Sequence, residues 1–499
     1  VYSPEAKTTS GAATVTKEAE GIWSVALTID QFALVELSLS PYEKPVVTPN
    51  YAGPTFTDPT RKLAAESGLR FILDKMRNGA IPAPASFGVY TNLLDDMSIT
   101  EIYAHGHHVT AEHMGLLLRV AACMKDEQAF AESYRYVNEL MQSKMYGLCN
   151  WAIDKDTLGP FIEIGETEDE TNAWLNANAP LDDFRVIRGL MAGAAQLGQA
   201  GADELADTFL RGMLFTSISD NAFNALSDVP AYPDGLAAFA WDWQEVDDAT
   251  RTPMAAESSG RGKMTLDPVP VDYQDLYTMG LAAERDPRWL PIVKNATKLL
   301  LDSEINNLGL YYNGYQPSGV WTGDFENQGI IQGTHLKTIQ VLWIALHLAR
   351  ANIGLSDEEV VLAQASARRS YEFFKAFMTS SVNATYPKGR IPEYLRVDGT
   401  DVPNCIGPNN PIGCLEYERD NLFGGEARIY AQLARLAIWM GDVDYAKQLI
   451  TDLILPEWIS DTNDPRYGLI GKSTTDLNNA EAWNVLESVL TMCMAAGGS

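Results

Sequence analysis

Carboxylates stand at the start of long apolar segments in this sequence. Glu112 opens EHMGLLLRVAACM, and Asp182 and Asp183 precede FRVIRGLMAGAAQL. A helix that is apolar on every side must be buried on every side, so these carboxylates would lie at the ends of buried helices. Two adjacent carboxylates in such a place raise the pKa of one of them, as acid–base catalysis often requires. For Glu112, capping of the helix start after Thr110 is the alternative interpretation.

A second group of acidic and aromatic residues follows further along the chain. Asp272 and Asp275 lie in PVDYQDLYT, interleaved with Tyr273 and Tyr277. At three residues apart the two aspartates share one helix face, and either is a candidate catalytic base. The other candidate substrate contacts in this half of the chain are Trp321, Glu326, Glu426 and Trp483. Because flat ligands such as sugar rings stack on aromatic side chains, carboxylates mixed with aromatics favour a neutral carbohydrate as the ligand.

Four of the six histidines, His105, His107, His108 and His113, lie close to Glu112. Imidazoles beside a carboxylate suit zinc or another transition ion, so a metal site is one interpretation. No second ligand cluster is identifiable, and histidine also binds sugar hydroxyls. We therefore predict that His108 and His113 contact substrate, with packing within the loop as the alternative role of these histidines.

The segment DKDTLG begins like a calcium-binding loop. Asp154, Asp156 and the nearby Glu163 supply oxygen ligands, but Gly165 stands at the twelfth position, where such loops carry a glutamate. A solvated acidic loop is the favoured interpretation. We expect no cofactor, and a structural calcium ion is the alternative.

The helix-like segments that must position these residues alternate between two types. One type is apolar all round, and the other carries a single apolar stripe, as in residues 127–144. Six buried helices ringed by six amphipathic ones form an (α/α)6 barrel, an all-α fold. The inner helices are predicted to begin near Glu112, Asp183, Tyr273, His335, Gly425 and Ala482, and the outer ones near Thr60, Glu127, Asp203, Pro287, Ser356 and Asp444.

The first 58 residues differ from the rest. Residues 21–41 are rich in β-branched and aromatic residues, which predicts two strands or a small hairpin. No linker composition divides the chain after residue 59. We therefore predict a β-rich extension over residues 1–58, packed against a single barrel domain over residues 59–499.

Two of these motifs resemble those of glycoside hydrolase family 8. VTAEHMGLLLRVAA, followed by KDEQAF, is similar to the family's glutamate-bearing motif, and LDDFRVIRGLMAGAAQLG is similar to its second motif. The resemblance implies a distant relative among the six-hairpin glycosidases, with an (α/α)6 barrel and inverting hydrolysis. It also implies Glu112 as general acid, and Asp183 or Asp182 as a sugar-binding carboxylate. The candidate bases Asp272 and Asp275 rest on position alone.

The charge balance restricts the partners. The 37 basic and 66 acidic residues give a net charge of −29, which repels nucleic acid and anionic membranes. The sequence contains no apolar run near the roughly 20 residues that a bilayer span needs. No start methionine or signal sequence precedes Val1, so we expect a processed, exported protein, secreted or in the cell envelope, acting as a monomer.

The cysteines suggest one covalent link. Cys405 and Cys414 bracket the turn-rich stretch IGPNNPIG, which favours a small disulfide loop. Cys123 and Cys493 lie inside apolar segments and are predicted to be core thiols.

Together these features predict an inverting, endo-acting glycoside hydrolase for a neutral polysaccharide. One alternative is a polysaccharide lyase, in which Tyr, His or Arg abstracts a proton beside a uronate carboxylate; that enzyme would need basic residues in its cavity. The other alternative is a non-catalytic carbohydrate-binding protein of the cell envelope.

Overall fold

The computed structural model describes about seven tenths of the chain. The described residues are 4–8, 12–19, 22–28, 35–39, 54–94, 109–143, 147–154, 158–159, 162–163, 173–217, 236, 240–244, 246–247, 252–253, 269–315, 319–323, 335–384, 386–392, 394–400, 427–471 and 479–497.

Twelve α-helices lie within the described residues. In chain order they are α1 (Pro59–Lys75), α2 (Ala111–Met124), α3 (Glu127–Tyr136), α4 (Pro180–Leu197), α5 (Ala200–Thr216), α6 (Leu276–Arg285), α7 (Trp289–Asp302), α8 (Thr338–Ala349), α9 (Asp357–Ser380), α10 (Ala427–Trp439), α11 (Val443–Leu449) and α12 (Ala482–Ala495). Short π-helical turns, Val137–Met141 and Ile450–Ile454, extend α3 and α11.

The even-numbered helices form a closed inner ring. Each contacts the next in the order α2, α4, α6, α8, α10 and α12, and α12 returns to contact α2. The odd-numbered helices surround them, since α3, α5, α7, α9 and α11 each pack on the inner helix before them in the chain and α1 packs on α12. The fold is therefore an (α/α)6 barrel, as the sequence predicted.

Burial follows the two helix types that the sequence distinguishes. The inner helix α8, TIQVLWIALHLA, is buried at every position except Trp343. The outer helix α9 buries one stripe that includes Ala363, Ala367, Tyr371 and Phe374. The predicted start of α9 is confirmed, because Ser356 and Glu359 form a capping box.

Two glycines allow α2 and α4 to approach closely. A Cβ atom on Gly115 would lie 2.7 Å from the backbone nitrogen of Val186, and one on Gly189 would lie 2.6 Å from the Cβ of Leu118. Neither distance is tolerated between real atoms, so only glycine permits this helix crossing. The crossing brings the first turns of the two helices together.

Short strands form antiparallel pairs, many of them at the starts of inner helices. The strands are β1 (Pro4–Thr8), β2 (Ala12–Ala19), β3 (Ile22–Thr28), β4 (Val35–Leu39), β5 (Asn92–Leu94), β6 (Val109–Thr110), β7 (Ala152–Ile153), β8 (Ile162–Glu163), β9 (Ala173–Asn178), β10 (Ala240–Gln244), β11 (Val246–Asp247), β12 (Thr252–Pro253), β13 (Val269–Pro270), β14 (Gly314–Tyr315), β15 (Trp321–Thr322), β16 (His335–Lys337), β17 (Tyr394–Arg396) and β18 (Asn479–Glu481). Strands β6, β16 and β18 lead directly into α2, α8 and α12, and pair with β7, β17 and β5. Strands β13, β14 and β15 form one small sheet, as do β8, β9 and β10.

The N-terminal region contains more strands than the two predicted. Strands β3 and β4 lie within residues 21–41 as expected, but they do not pair with each other. Instead β3 pairs with β2 and β4 pairs with β1. The extent of this region as a separate unit stays a prediction.

One prediction about the cysteines was wrong. Cys123 near the end of α2 and Cys493 near the end of α12 form a disulfide, with their Cα atoms 6.3 Å apart and a sequence separation of 370 residues. The apolar surroundings of each cysteine predicted a thiol, but closure of the ring makes α2 and α12 neighbours. Cys149 is a free, buried thiol, and Cys405 and Cys414 lie outside the described residues.

Within the described part of the chain, no helix combines the length and apolar composition needed to cross a membrane.

Candidate active site

Glu112 lies in the first turn of α2, at the end of the barrel where all the inner helices begin. Thr110 caps this helix, as predicted, by accepting a hydrogen bond from the backbone N–H of His113. The Glu112 side chain is 17% exposed and accepts a hydrogen bond from the guanidinium of Arg185 of α4. The same guanidinium donates to Asp182 Oδ1 at 2.9 Å, so Arg185 joins two carboxylates from neighbouring inner helices.

The environment of Glu112 favours its protonated form. Burial raises the pKa of Glu112 to about 8; Arg185 opposes the shift, and the nearby carboxylates of Asp182 and Glu487 add to it. A helix N-terminus stabilises a carboxylate, yet burial prevails at this site. Near neutral pH the Glu112 carboxyl therefore retains a proton that it can donate.

Arg185 and Asp182 complete this cluster. Burial also raises the pKa of Asp182, against the pull of Arg185. Burial alone would lower the pKa of Arg185, but Glu112 and Asp182 outweigh it and the pKa lies above its ordinary value. The guanidinium is thus a permanent positive charge between two carboxyls.

Two tryptophans and a second arginine form a wall beside this cluster. Arg185 lies over the ring of Trp343 at 4.6 Å, and Arg428 lies over the ring of Trp483 at 4.2 Å. The two indole rings are 5.6 Å apart, and both are partly exposed. Each tryptophan thus has a cation–π contact on its ring and a part of its surface that remains exposed. Trp483, a predicted substrate contact, lies beside the candidate acid Glu112.

Deeper in the barrel, Glu487 of α12 pairs with Arg435 of α10. The Trp483 indole N–H donates to Glu487 at 3.4 Å. Burial by itself would raise the pKa of Glu487, but Arg435, Arg185 and Arg119 outweigh it and the pKa is lowered. Glu487 is therefore an ionised carboxylate under the tryptophan wall.

The two candidate bases lie at the start of α6 and are both buried. Asp275 caps α6, accepting from the Thr278 hydroxyl at 3.0 Å, and its Oδ1 lies 3.5 Å from His347 Nδ1. Burial alone would raise the pKa of Asp275, but His347 and Arg188 outweigh it and the pKa falls below its usual range. Asp275 lines the axial cavity of the barrel. Asp272 is 0% exposed.

The remaining predicted contacts on α2 and α4 are less accessible than Glu112. Asp183 is 0% exposed, whereas the Asp182 side chain is 14% exposed beside Arg185. Of the two aspartates, the geometry favours Asp182 as a substrate contact. His113 is buried against Thr110. Burial, with Arg185 and Arg428 nearby, lowers the pKa of His113 to about 3, so the imidazole is neutral.

The predicted aromatic contacts lie in different places. Tyr273 is partly exposed in the short 3-10 helix Val271–Tyr273. Tyr277 lies within α6, with the guanidinium of Arg188 4.7 Å from its ring. Trp321 packs against Tyr315 with ring centroids 4.6 Å apart. Among the described residues no ring contact joins Tyr277 or Trp321 to Trp483, whereas Tyr273 lies close enough to Arg185 to help raise its pKa.

Several predictions fall outside the described residues, namely His108, Glu326 and Glu426, together with Asp156 of the calcium hypothesis. Within the ranges that the structure describes, no cluster of three or more His, Cys, Asp or Glu side chains is arranged to hold a metal ion.

Sequence reasoning missed the arginines. Arg185, Arg188 and Arg119 lie inside segments whose apolar composition predicts burial on every side, and Arg428 and Arg435 belong to α10. The sequence did contain a signal for these arginines, because a charged side chain in a fully buried helix requires a partner. Arg185 also stands three residues after Asp182, which is the spacing of a helical ion pair. The cavity is consequently not lined by carboxylates and aromatics alone.

The fold of this chain has relatives among solved protein structures. No family model matches the sequence, and no curated protein matches it. Among solved structures, an α-amylase from Clostridium perfringens superposes with a TM-score of 0.58 at 16% identity, covering 88% of this chain and 99% of that one. Rex8A from Paenibacillus barcinonensis, solved with xylose, superposes with a TM-score of 0.51 at 11% identity, covering 90% and 96%.

At these identities the likeness concerns the fold. The chain shares its (α/α)6 barrel with known glycosidases. The (α/α)6 barrel that the resemblance of the two sequence motifs implied is therefore confirmed.

Proposed function

We propose that this protein is a glycoside hydrolase that cleaves a neutral polysaccharide or oligosaccharide with inversion of configuration. The observation that carries the proposal is Glu112, a partly exposed carboxyl at the rim of the barrel whose pKa is raised to about 8. A general acid for glycosidic bonds must hold its proton at working pH while remaining accessible to the leaving-group oxygen. Glu112 meets both requirements.

The surroundings of Glu112 suit a sugar. Trp343 and Trp483 offer partly exposed rings on which a pyranose can stack. Asp182 supplies a hydrogen-bond acceptor and Arg185 a donor within the same cluster. Sugar hydroxyls both donate and accept hydrogen bonds, so they can use both groups. The names of the two structural neighbours, an α-amylase and a protein solved with xylose, also concern carbohydrate.

Inversion needs a second, ionised carboxylate that activates water on the opposite face of the sugar. Asp275 is our proposed base, since its lowered pKa keeps it ionised. Its contacts with Thr278 and His347 hold it in place. In this mechanism Glu112 protonates the glycosidic oxygen as the bond to the anomeric carbon breaks. Asp275 then takes a proton from the attacking water, and a separation of about 6.5 to 9.5 Å between the two carboxyls is required.

Export is part of the proposal. The Cys123–Cys493 disulfide is a bond that persists in oxidising compartments and is rare in the cytosol. A hydrolase of large polysaccharides acts where its polymer is, outside the cell or in its envelope. We propose endo action on such a polymer by a monomer.

The test is incubation with β-glucans, xylan, chitosan, arabinan, starch and uronate polymers, followed by chromatography of the products. We expect saturated oligosaccharides from a neutral polymer, with the anomer of the product opposite to that of the substrate by NMR. Glu112→Gln should lower the rate about 10² to 10⁴-fold. Glu127→Gln is the matched control, because Glu127 occupies the first turn of α3 but is exposed. A loss below tenfold in Glu112→Gln would contradict its role as the acid.

The arginines favour a lyase as the second candidate. Arg185 and Arg428 lie at the tryptophan wall, where they could bind the carboxylate of a uronate. A lyase leaves an unsaturated product that absorbs near 235 nm, a wavelength at which hydrolysis products are silent. Unsaturated products from a uronate polymer would replace the hydrolase proposal. Binding without any cleavage, unchanged in Glu112→Gln, would instead indicate a carbohydrate-binding protein.

A further inference from the structure

The axis of the barrel contains a cavity that is rich in arginine. It measures about 30 Å³ and is lined by five arginines, Arg119, Arg185, Arg188, Arg350 and Arg435, but by only two carboxylates among the described residues, Asp275 and Glu487. A chain with a net charge of −29 thus concentrates positive charge in its interior. Buried charges need a compensating partner, so each arginine must be accounted for.

Some of these arginines already have partners. Arg185 is bound by Glu112 and Asp182, and Arg435 by Glu487. Arg350 donates to the backbone carbonyl of Leu346 at 2.9 Å. Asp275 is engaged by Thr278 and lies beside His347. The carboxylates of the cavity are thus committed to other groups.

Arg188 lies over the ring of Tyr277, whereas Arg119 has no such ring contact within the part of the chain that the structure describes. Within the described structure the Arg119 guanidinium forms no hydrogen bond and no ion pair, although it points into the axial cavity. Burial, followed by repulsion from Arg188 and Arg435, lowers the pKa of Arg119 well below its ordinary value, and the smaller attraction of Glu487 and Asp275 does not offset these effects. A guanidinium keeps its proton in proteins, so the charge persists and a counter-ion would stabilise it.

Two further donors in the cavity wall also lack acceptors. Gln432 is 1% exposed and Arg435 is 5% exposed, and Gln432 Nε2 and Arg435 Nε have no hydrogen-bond partner. The amide orientation of Gln432 is determined by its neighbour, since Gln432 Oε1 accepts from Arg435. Its NH₂ group is thereby directed away from that contact. Three unsatisfied donor groups therefore border one small space, and two of them belong to cations.

We propose that this cavity binds a small monovalent anion, chloride, between Arg119, Arg435 and Gln432. Space of about 30 Å³ holds a monatomic ion or a few waters but not a sugar. The anion would accept from the unsatisfied donors and offset the repulsion among the arginines. Its role is to stabilise the barrel, so the proposal is independent of any reaction at Glu112.

The experiment is thermal unfolding of the whole chain in sodium chloride and in sodium gluconate. The two salts are compared at equal ionic strength throughout a concentration series, so that electrostatic screening is the same in both. At about 0.15 M the Debye length is about 8 Å. We expect Tm to rise saturably with chloride, and bromide to act in the same way and give an anomalous scattering peak beside Arg119 in crystals. Equal Tm in both salts at every concentration would overturn the proposal.

Three variants locate the effect. Arg119→Gln should raise the half-saturating chloride concentration at least about tenfold, the value expected for loss of one charge-assisted hydrogen bond. Arg211→Gln, on the exposed face of α5, should respond to chloride as the wild type does. An undiminished chloride response in Arg119→Gln would contradict the assignment.

The third variant covers the case in which Arg119→Gln fails to fold. Gln432→Glu places a resident negative charge in the cavity with almost no change of shape. We expect its Tm to be independent of chloride and at least as high in gluconate as that of the wild type. A wild-type response to chloride in Gln432→Glu would also overturn the proposal. None of these measurements involves a carbohydrate, so their outcome and that of the hydrolase test are separate.

Discussion

The guanidinium of Arg185 on α4 bridges Glu112 on α2 and Asp182 one turn before it on its own helix. The bridge is possible because Gly115 and Gly189 let the two helices approach so closely. One cation thus contacts two carboxyls whose pKa values burial raises above their ordinary values. Several measurable properties depend on this arrangement.

The activity should fall as pH rises through about 8, the pKa of Glu112, because the ionised carboxylate cannot donate a proton. The check is a pH profile of kcat and kcat/KM on whichever polysaccharide is cleaved. An alkaline limb that persists unchanged in the residual activity of Glu112→Gln would assign the limb to a different group.

The free energy of unfolding should also depend on pH through the raised pKa of Glu112. The pKa of Glu112 is about 8 in the folded protein against an ordinary value of 4.5, so between these pH values the folded state binds the extra proton. Stability contributed by this proton is present below about pH 4.5 and is lost as pH rises towards 8. Denaturant unfolding across this window should show a smaller decline in Glu112→Gln than in the wild type. Equal slopes would show that Glu112 ionises normally.

Removal of the positive charge of Arg185 should shift the alkaline limb of the pH–activity profile to higher pH. Arg185 lowers the pKa of Glu112 against the larger effect of burial, so Arg185→Met should raise that pKa and shift the limb to higher pH. Arg185→Lys keeps a positive charge and should return the limb towards its wild-type position. A merely structural role for Arg185 would reduce activity without moving the profile.

The disulfide should contribute to stability by joining the two ends of the ring. Cys123 and Cys493 are 370 residues apart in sequence, so the bond constrains a long loop in the unfolded chain. Cys123→Ala or Cys493→Ala should lower the free energy of unfolding by about 2 to 5 kcal/mol. Cys149→Ala is the control, since Cys149 is buried but unpaired. Equal losses of unfolding free energy in all three variants would show that the cysteines stabilise the protein by core packing and not through the disulfide.

The helix crossing should tolerate no side chain larger than hydrogen. Gly115→Ala places a methyl group 2.7 Å from the Val186 nitrogen, so the helices must separate and Glu112 must shift from Arg185. We expect a loss of about 1 to 3 kcal/mol in stability, measured by denaturant unfolding. Gly79→Ala should be nearly neutral, because a Cβ there meets no atom within 4 Å. A neutral Gly115→Ala would show that the crossing can relax.

The helical architecture was predictable because it depends on local pattern. The apolar character of segments such as α2 and α8, the stripe of α9 and the cap at Ser356 are visible within a few turns of chain. The order of buried and amphipathic helices then suffices for a double ring. Glu112 was identifiable on the same basis, as a carboxylate at the first turn of a buried helix after a capping threonine.

Relationships between distant segments were decided by the tertiary structure. The sequence could not show that Cys493 lies beside Cys123, that Arg185 bridges to Glu112, or that Arg119, Arg435 and Gln432 meet in one cavity. Nor could it decide whether burial or the helix N-terminus governs the pKa of Glu112. The pattern of apolar residues along a chain indicates which side chains are buried. Desolvation, ion pairing and disulfide formation depend instead on which atoms lie within a few ångströms, and ring closure brings those atoms from opposite ends of the chain.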